Sequence, residues 1–203
     1  MLPGTEAAAS KTGNLKHLGR LDRGIAAFEI ADYNASEAAF REAAADDDND
    51  LLALSGLYQS ALALNKQTEA EQALDRLIDS GIRQGTLSFK FLFRVRSGEL
   101  RNDFEMSKYY EHWLARTAER LGRTAMCADI EGHSSHSGTA EFNDRLSLRR
   151  AQHVAALLGK FNPRLKARIK PVGYGFSRNI VGSGSDDAKD AIDRRVELRI
   201  KAC

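Results

Sequence analysis

The residues whose types and spacing can do chemistry crowd into GHSSHSGTAEFNDRLSLRRA, residues 132–151, a stretch with two histidines, four serines and two glycines. Three chemistries need such residues. A hydrolase needs a serine activated by a histidine, but the stretch has no GxSxG elbow, and closeness in sequence says little about whether Ser135 and His133 approach in space. A metal site needs three or four ligands. His133 and His136 lie where a strand passes into a loop and no third ligand is evident, so we read His133 as structural, His136 as solvated, and expect neither metal nor cofactor. The third chemistry is anion binding, and it rests on the helix after the loop.

Helical geometry of about 100° per residue sets the phase of that helix. Phe142, Leu146, Leu157 and Val154 fall within an arc of roughly 120° by this step, and Arg150 and Asn143 lie inside the same arc. Arg150 therefore interrupts the apolar face. Its charge cannot be shed, and an unpaired buried charge costs roughly several kcal/mol, so it requires an anion. An internal carboxylate (Asp186, Asp187 or Glu131) meets that need, and so does a ligand carboxylate gripped by two parallel hydrogen bonds. The residues alone slightly favour the internal partner. Asn143 offers a donor and an acceptor on the same side, or simply tidies the loop. Ser137 or Thr139 can cap the helix, and Glu141 complements its positive end.

These residues need strands and helices to hold them. A strand from Ser88 is read from the period-two recurrence of Phe89, Phe91, Phe93 and Val95. A helix over Asp103–Leu121 gathers Met106, Tyr110, Trp113, Leu114 and Leu121 within an arc of about 100°. Trp113 and its tyrosines are expected in the core rather than as an aromatic ligand platform. TAMCADIEG gives a second strand, RLKARIKPVGYGFSRN a third with a Gly-rich turn, and the C-terminus a short helix and a last strand over Arg195–Lys201. Residues 85–203 thus read as one α+β domain.

Upstream the grammar is helical. The segments from Ala27 and Ala61 align without a gap at an offset of about 34 residues, the tetratricopeptide period. Both lack the consensus tryptophan and proline, so residues 17–84 read as helical hairpins, serving either as a repeat-like protein-interaction unit or as a bundle that props up the rest. The Gly-punctuated SGIRQGT closes this region. Residues 1–16, poor in apolar periodicity, are expected as a flexible lead-in.

Composition narrows the function further. With 42 % hydrophobic and 29 % charged residues, the chain is ordinary for a globular protein. No apolar run nears the roughly 20 residues of a membrane span. A formal charge of +2 with interspersed signs gives no reason to expect nucleic acid. The start lacks a signal-peptide pattern, which fits a cytoplasmic chain or a trimmed one. The two cysteines, Cys127 and Cys203, are either unrelated or a single disulfide of an oxidising compartment.

The run IEGHSSHSGTAEFNDRLSLRRAQHVAALL, residues 130–158, resembles the OmpA-like peptidoglycan-associating domain, whose pattern is GHTDxxG followed by NxxLSxxRAxxVxxxL. VGYGFSRN and DRRVELRI resemble its later GxGxxxP and NRRVEI segments, so the resemblance covers about Ser88 to Lys201. It implies a noncatalytic α+β domain of β-α-β-α-β order with an extra short helix and strand. It further implies a groove for the diaminopimelate of the peptidoglycan stem peptide, and a periplasmic location with outer-membrane association through an N-terminal signal or anchor. In the family a loop aspartate takes the ligand's ammonium and a helix arginine its carboxylate. Arg150 matches that arginine, Asn143 the asparagine, and Arg194 and Arg195 the arginine pair, so the implied ligand set is Ser134, Ser135, Asn143, Leu146, Arg150, Arg194 and Arg195. The loop aspartate is here Ser135, which should weaken binding by roughly 1.5 to 3 kcal/mol unless Asp186 or Asp187 reaches the groove. The other implied outcome is a protein-interaction adaptor whose groove is vestigial. Asp193 also replaces the family's asparagine, and Asn179 its proline. The implied compartment strengthens the expectation of a Cys127–Cys203 disulfide.

Overall fold

A computed structural model describes residues 4–89, 93, 104–182 and 193–203, the side chains of 4–13, 89 and 104–108 excepted. Phe91, Val95, Asp186, Asp187, the Phe89 and Met106 side chains and the expected short helix lie outside the described residues. The chain is α+β and folds as two compact units, Met1–Gly81 and Ile82–Cys203.

The first unit is built from helices α1 (Gly4–Glu29), α2 (Tyr33–Asp46), α3 (Leu51–Ala63) and α4 (Gln67–Gln84), the last turn of α4 belonging to the second unit. α1 begins inside the stretch expected as a flexible lead-in. Its opening GTEAAASK explains this, since alanine, glutamate and lysine lose little on entering a helix.

The two hairpins repeat one another. The ends of α1 and α3, Glu29 and Ala63, and the starts of α2 and α4, Tyr33 and Gln67, are each separated by one repeat period. Both turns are the same Schellman cap, with Ala31 (φ 61°) and Asn65 (φ 57°) in the left-handed region. Ala31 N–H donates to the Phe28 carbonyl and Asp32 N–H to that of Ala27; Asn65 and Lys66 repeat both bonds to Leu62 and Ala61. Asp50 caps α3 by accepting from the N–H groups of Leu52 (2.7 Å) and Ala53 (2.9 Å).

Small residues let these helices approach. A Cβ at Gly24 or Gly56 would collide with the Phe40 ring, which fills the space between them. Ser36 Oγ donates to the Gly24 carbonyl (2.9 Å) and pairs with Ser60 Oγ (2.9 Å), so the buried hydroxyls satisfy each other. Buried Glu37 is paired with Lys66 (2.5 Å) and with Arg41.

The second unit is a four-stranded sheet of order β1-β4-β2-β3: β1 (Thr86–Phe89), β2 (Met126–Gly132), β3 (Ile169–Gly173) and β4 (Val196–Ala202). β4 is antiparallel to β1 and β2, and β3 is parallel to β2. Helices α5 (Phe104–Gly122) and α6 (Ala140–Phe161) connect the strands. The third strand is shorter than its sequence region, because Pro163–Leu165 forms a 3-10 turn and the backbone leaves the sheet after Gly173.

Alternation along β2 and β4 separates two faces. Ala128, Ile130, Val196, Leu198 and Ile200 are buried toward the core. The opposite face carries the cross-strand pairs Cys127↔Lys201, Asp129↔Arg199 and Glu131↔Glu197. Tyr110, Leu114 and Leu121 of α5 are buried in this core, and Trp113 packs tilted against Tyr110 with ring centroids 5.8 Å apart. At the rim of β2 a disulfide joins Cys127 to Cys203, closing a loop with a sequence separation of 76.

Candidate functional site

The candidate site forms where β2 runs out into the loop before α6. α6 reaches it because glycines stand where side chains would block the approach: a Cβ on Gly132 would collide with the Ser147 carbonyl oxygen, and one on Gly173 would lie 2.6 Å from Leu148 N. Ser147 completes the seam, its hydroxyl donating to the Asp144 carbonyl (2.9 Å) and accepting from Gly175 N–H (2.8 Å).

The loop is held from both neighbouring strands. His133 N–H donates to the Arg195 carbonyl (3.0 Å), Ser134 N–H to that of Gly175 (2.8 Å), and Tyr174 N–H returns to that of Gly132 (3.0 Å). Gly138 adopts φ 90°, turning the chain into α6, and Thr139 caps the helix by accepting from Phe142 N–H at 3.3 Å.

Arg150 lies beneath this loop. It is only 3 % exposed, donates from Nη1 to the His133 carbonyl at 3.3 Å, and its guanidinium lies 4.8 Å from the centre of the Phe93 ring. At that distance the guanidinium is attracted to the ring's π face, and its planar fork of donors is the group that suits carboxylate recognition. Asn143 and Leu146, on the same face of α6, are also buried. The Asn143 amide donates to the carbonyls of Ser137 (2.7 Å) and Thr139 (3.0 Å), so its donors fasten the loop. Ser134 and Ser135 are buried at the loop's centre. Among the described residues neither ring nitrogen of His133 has a hydrogen-bond partner, Ser135 included.

Arg194 and Arg195 differ. Arg194 is half-buried, whereas buried Arg195 is tied internally, Nε donating to Glu197 Oε1 (2.5 Å) and Nη2 to the Arg178 carbonyl (3.2 Å). Glu131, weighed from sequence as a partner for Arg150, faces Arg178 at 3.4 Å. Sequence reasoning missed Arg178 and Tyr174; the guanidinium of Arg178 stacks 3.6 Å over the Tyr174 ring, which in turn stacks on His133 at 5.7 Å. The sequence signal was that both belong to the Gly-rich segment VGYGFSRN. Asp193 is fully buried and accepts from the backbone N–H groups of Ile180, Val181 (3.2 Å) and Gly182 (2.9 Å), a cluster of bonds that a carboxylate satisfies fully.

Burial, then the nearby Arg195 guanidinium, lowers the His133 pKa to about 4, against an opposing pull from Glu197. Burial resists ionisation of Glu197, but its hydrogen bond and charge contact with Arg195 outweigh that and hold its pKa below the usual value.

Residues 101–193 match the model of the OmpA family. The chain is similar to outer membrane porin F of Pseudomonas aeruginosa, 32% identical over 108 residues that make up 51% of this chain and 31% of that protein. It thus spans about a third of the length of that relative. Among solved structures, the chain is similar to the peptidoglycan-associated lipoprotein from Burkholderia pseudomallei, with 25% identity, 56% of this chain and 89% of the other covered, and a TM-score of 0.46. It is also similar to the cell wall anchor of the T6SS from Pseudomonas aeruginosa, with 25% identity, 64% and 97% covered, and a TM-score of 0.46. No helix among the described residues is long and apolar enough to cross a membrane.

Proposed function

We propose that the OmpA domain is a noncatalytic peptidoglycan-binding module of the cell envelope. Its ligand is the diaminopimelate of the stem peptide, and the helical unit holds a protein partner. The observation that carries this reading is the buried guanidinium of Arg150, set beneath the loop of Ser134 and Ser135 at the position where the resemblance assigns the clamp for the ligand carboxylate. Arg150 grips that carboxylate, and the Ser134 and Ser135 hydroxyls, Asn143, Leu146, Arg194 and Arg195 complete the site.

Ser135 supplies no negative charge for the ligand ammonium, so affinity is set mainly by the carboxylate end. The constant offset between the two hairpins supports a tetratricopeptide-like unit whose surface takes a protein partner. Outer membrane porin F supports an outer-membrane or periplasmic setting, and a disulfide belongs in such an oxidising compartment. Ser135 also favours a second reading, a periplasmic adaptor with a vestigial groove. Cosedimentation with diaminopimelate-containing peptidoglycan tests both: retention of the native chain supports wall binding, and retention only of Ser135→Asp supports the adaptor.

A further inference from the structure

Glu131 and Glu197 face each other across β2 and β4 on the sheet face opposite the Ile130–Leu198 core pair. Like charges so opposed repel, and the strands tolerate them only with compensation. Neighbouring guanidinium groups provide it. Arg195 Nε donates to Glu197 Oε1 at 2.5 Å, and Arg178 Nη1 reaches Glu131 Oε2 at 3.4 Å.

His133 is the group this balance leaves over. It is 1 % exposed, yet among the described residues neither Nδ1 nor Nε2 makes a hydrogen bond. A buried polar atom without a partner loses its hydration for nothing in return, so the orphaned ring marks a missing partner. One of its nitrogens and one oxygen of each carboxylate lie within 4.8 Å of one another. Burial and Arg195 keep the ring neutral at pH 7, with a lone pair available.

We propose that Glu131, His133 and Glu197 bind a divalent transition-metal ion, zinc foremost. One imidazole nitrogen and two carboxylate oxygens are ligands zinc accepts at ~2.0–2.2 Å, which places ligand atoms roughly 3.3 Å apart in a tetrahedron. Small rotations of the two carboxylates close the cluster to that size. Arg178 is the cation that yields: its side chain is half-exposed and its bond to Glu131 is long. Arg195 stays on Glu197 Oε1 and orients that carboxylate, while exposed Arg199, 3.5 Å from Oε2, moves aside. Neither cysteine competes for the ion, since both are in the disulfide. Sequence reading found no third ligand beside His133 and His136 because β4 supplies one and β2, upstream, the other.

The test is calorimetric titration of Zn²⁺ into the chelator-treated full chain at pH 7.5. One ion binds per chain, and His133→Ala and Glu197→Gln each weaken binding at least about tenfold, whereas His136→Ala leaves it unchanged. Arg178→Ala tightens binding about fivefold by removing a competing cation, a gain that misfolding cannot mimic. Native binding no tighter than that of His133→Ala, or an affinity indifferent to Arg178→Ala, overturns the proposal. The readout involves no peptidoglycan, so it stands or falls apart from the wall-binding reading.

Discussion

At the scale of single residues, His133 shows how burial becomes pH dependence. Its folded pKa, about 4, is below its ordinary value of 6.5. Between these values the unfolded chain binds the proton and the native state refuses it. The stability contribution is therefore complete above pH 6.5 and is lost as pH falls through 4, amounting to up to about 3 kcal/mol. Urea midpoints of the native chain should fall over that window, and those of His133→Gln should fall less; parallel profiles would contradict this. Gly132 makes a steric prediction. Because its Cβ would collide with the Ser147 carbonyl, Gly132→Ala should cost about 1–3 kcal/mol or more in urea unfolding. Arg150 was legible from helical phase because an arginine on an apolar face breaks a pattern. The Glu131–His133–Glu197 cluster was not, because it needs the β2–β4 register, which no local pattern specifies.

At the scale of elements, the strand and helix periodicities located β2, α5, α6 and β4 to within a residue or two, since each buries one continuous apolar face. The face of α6 was read less well. Its contact with the sheet centres on Ser147 and Ala151, small residues that hydrophobicity ranks low, and these face glycines. The early turns of α1 were missed for a related reason, as helix formers without an apolar stripe give no periodic signal. The constant offset between two segments was legible, and in the structure the same Schellman cap closes the turn of each hairpin. Ala31 occupies a left-handed position that a side chain disfavours (φ 61°). Ala31→Gly should therefore stabilise the helical unit by up to about 1 kcal/mol, read as a raised thermal midpoint; an unchanged or lowered midpoint would count against the cap assignment.

At the scale of the whole molecule, the chain joins a helical unit to a sheet unit in which a disulfide ties the residue after β4 to β2. With a sequence separation of 76 between the cysteines, chain-entropy arguments put its contribution at about 4 kcal/mol, so a reductant should shift the urea midpoint of the sheet unit markedly downward. The proposed role of Arg150 as the clamp for a wall ligand is open to cosedimentation of the native chain, Arg150→Ala and Ser135→Asp with diaminopimelate-type peptidoglycan. The native chain should be retained, Arg150→Ala should lose at least about tenfold in affinity, and Ser135→Asp should gain about ten- to hundredfold. Native retention no better than that of a correctly folded Arg150→Ala chain would contradict it.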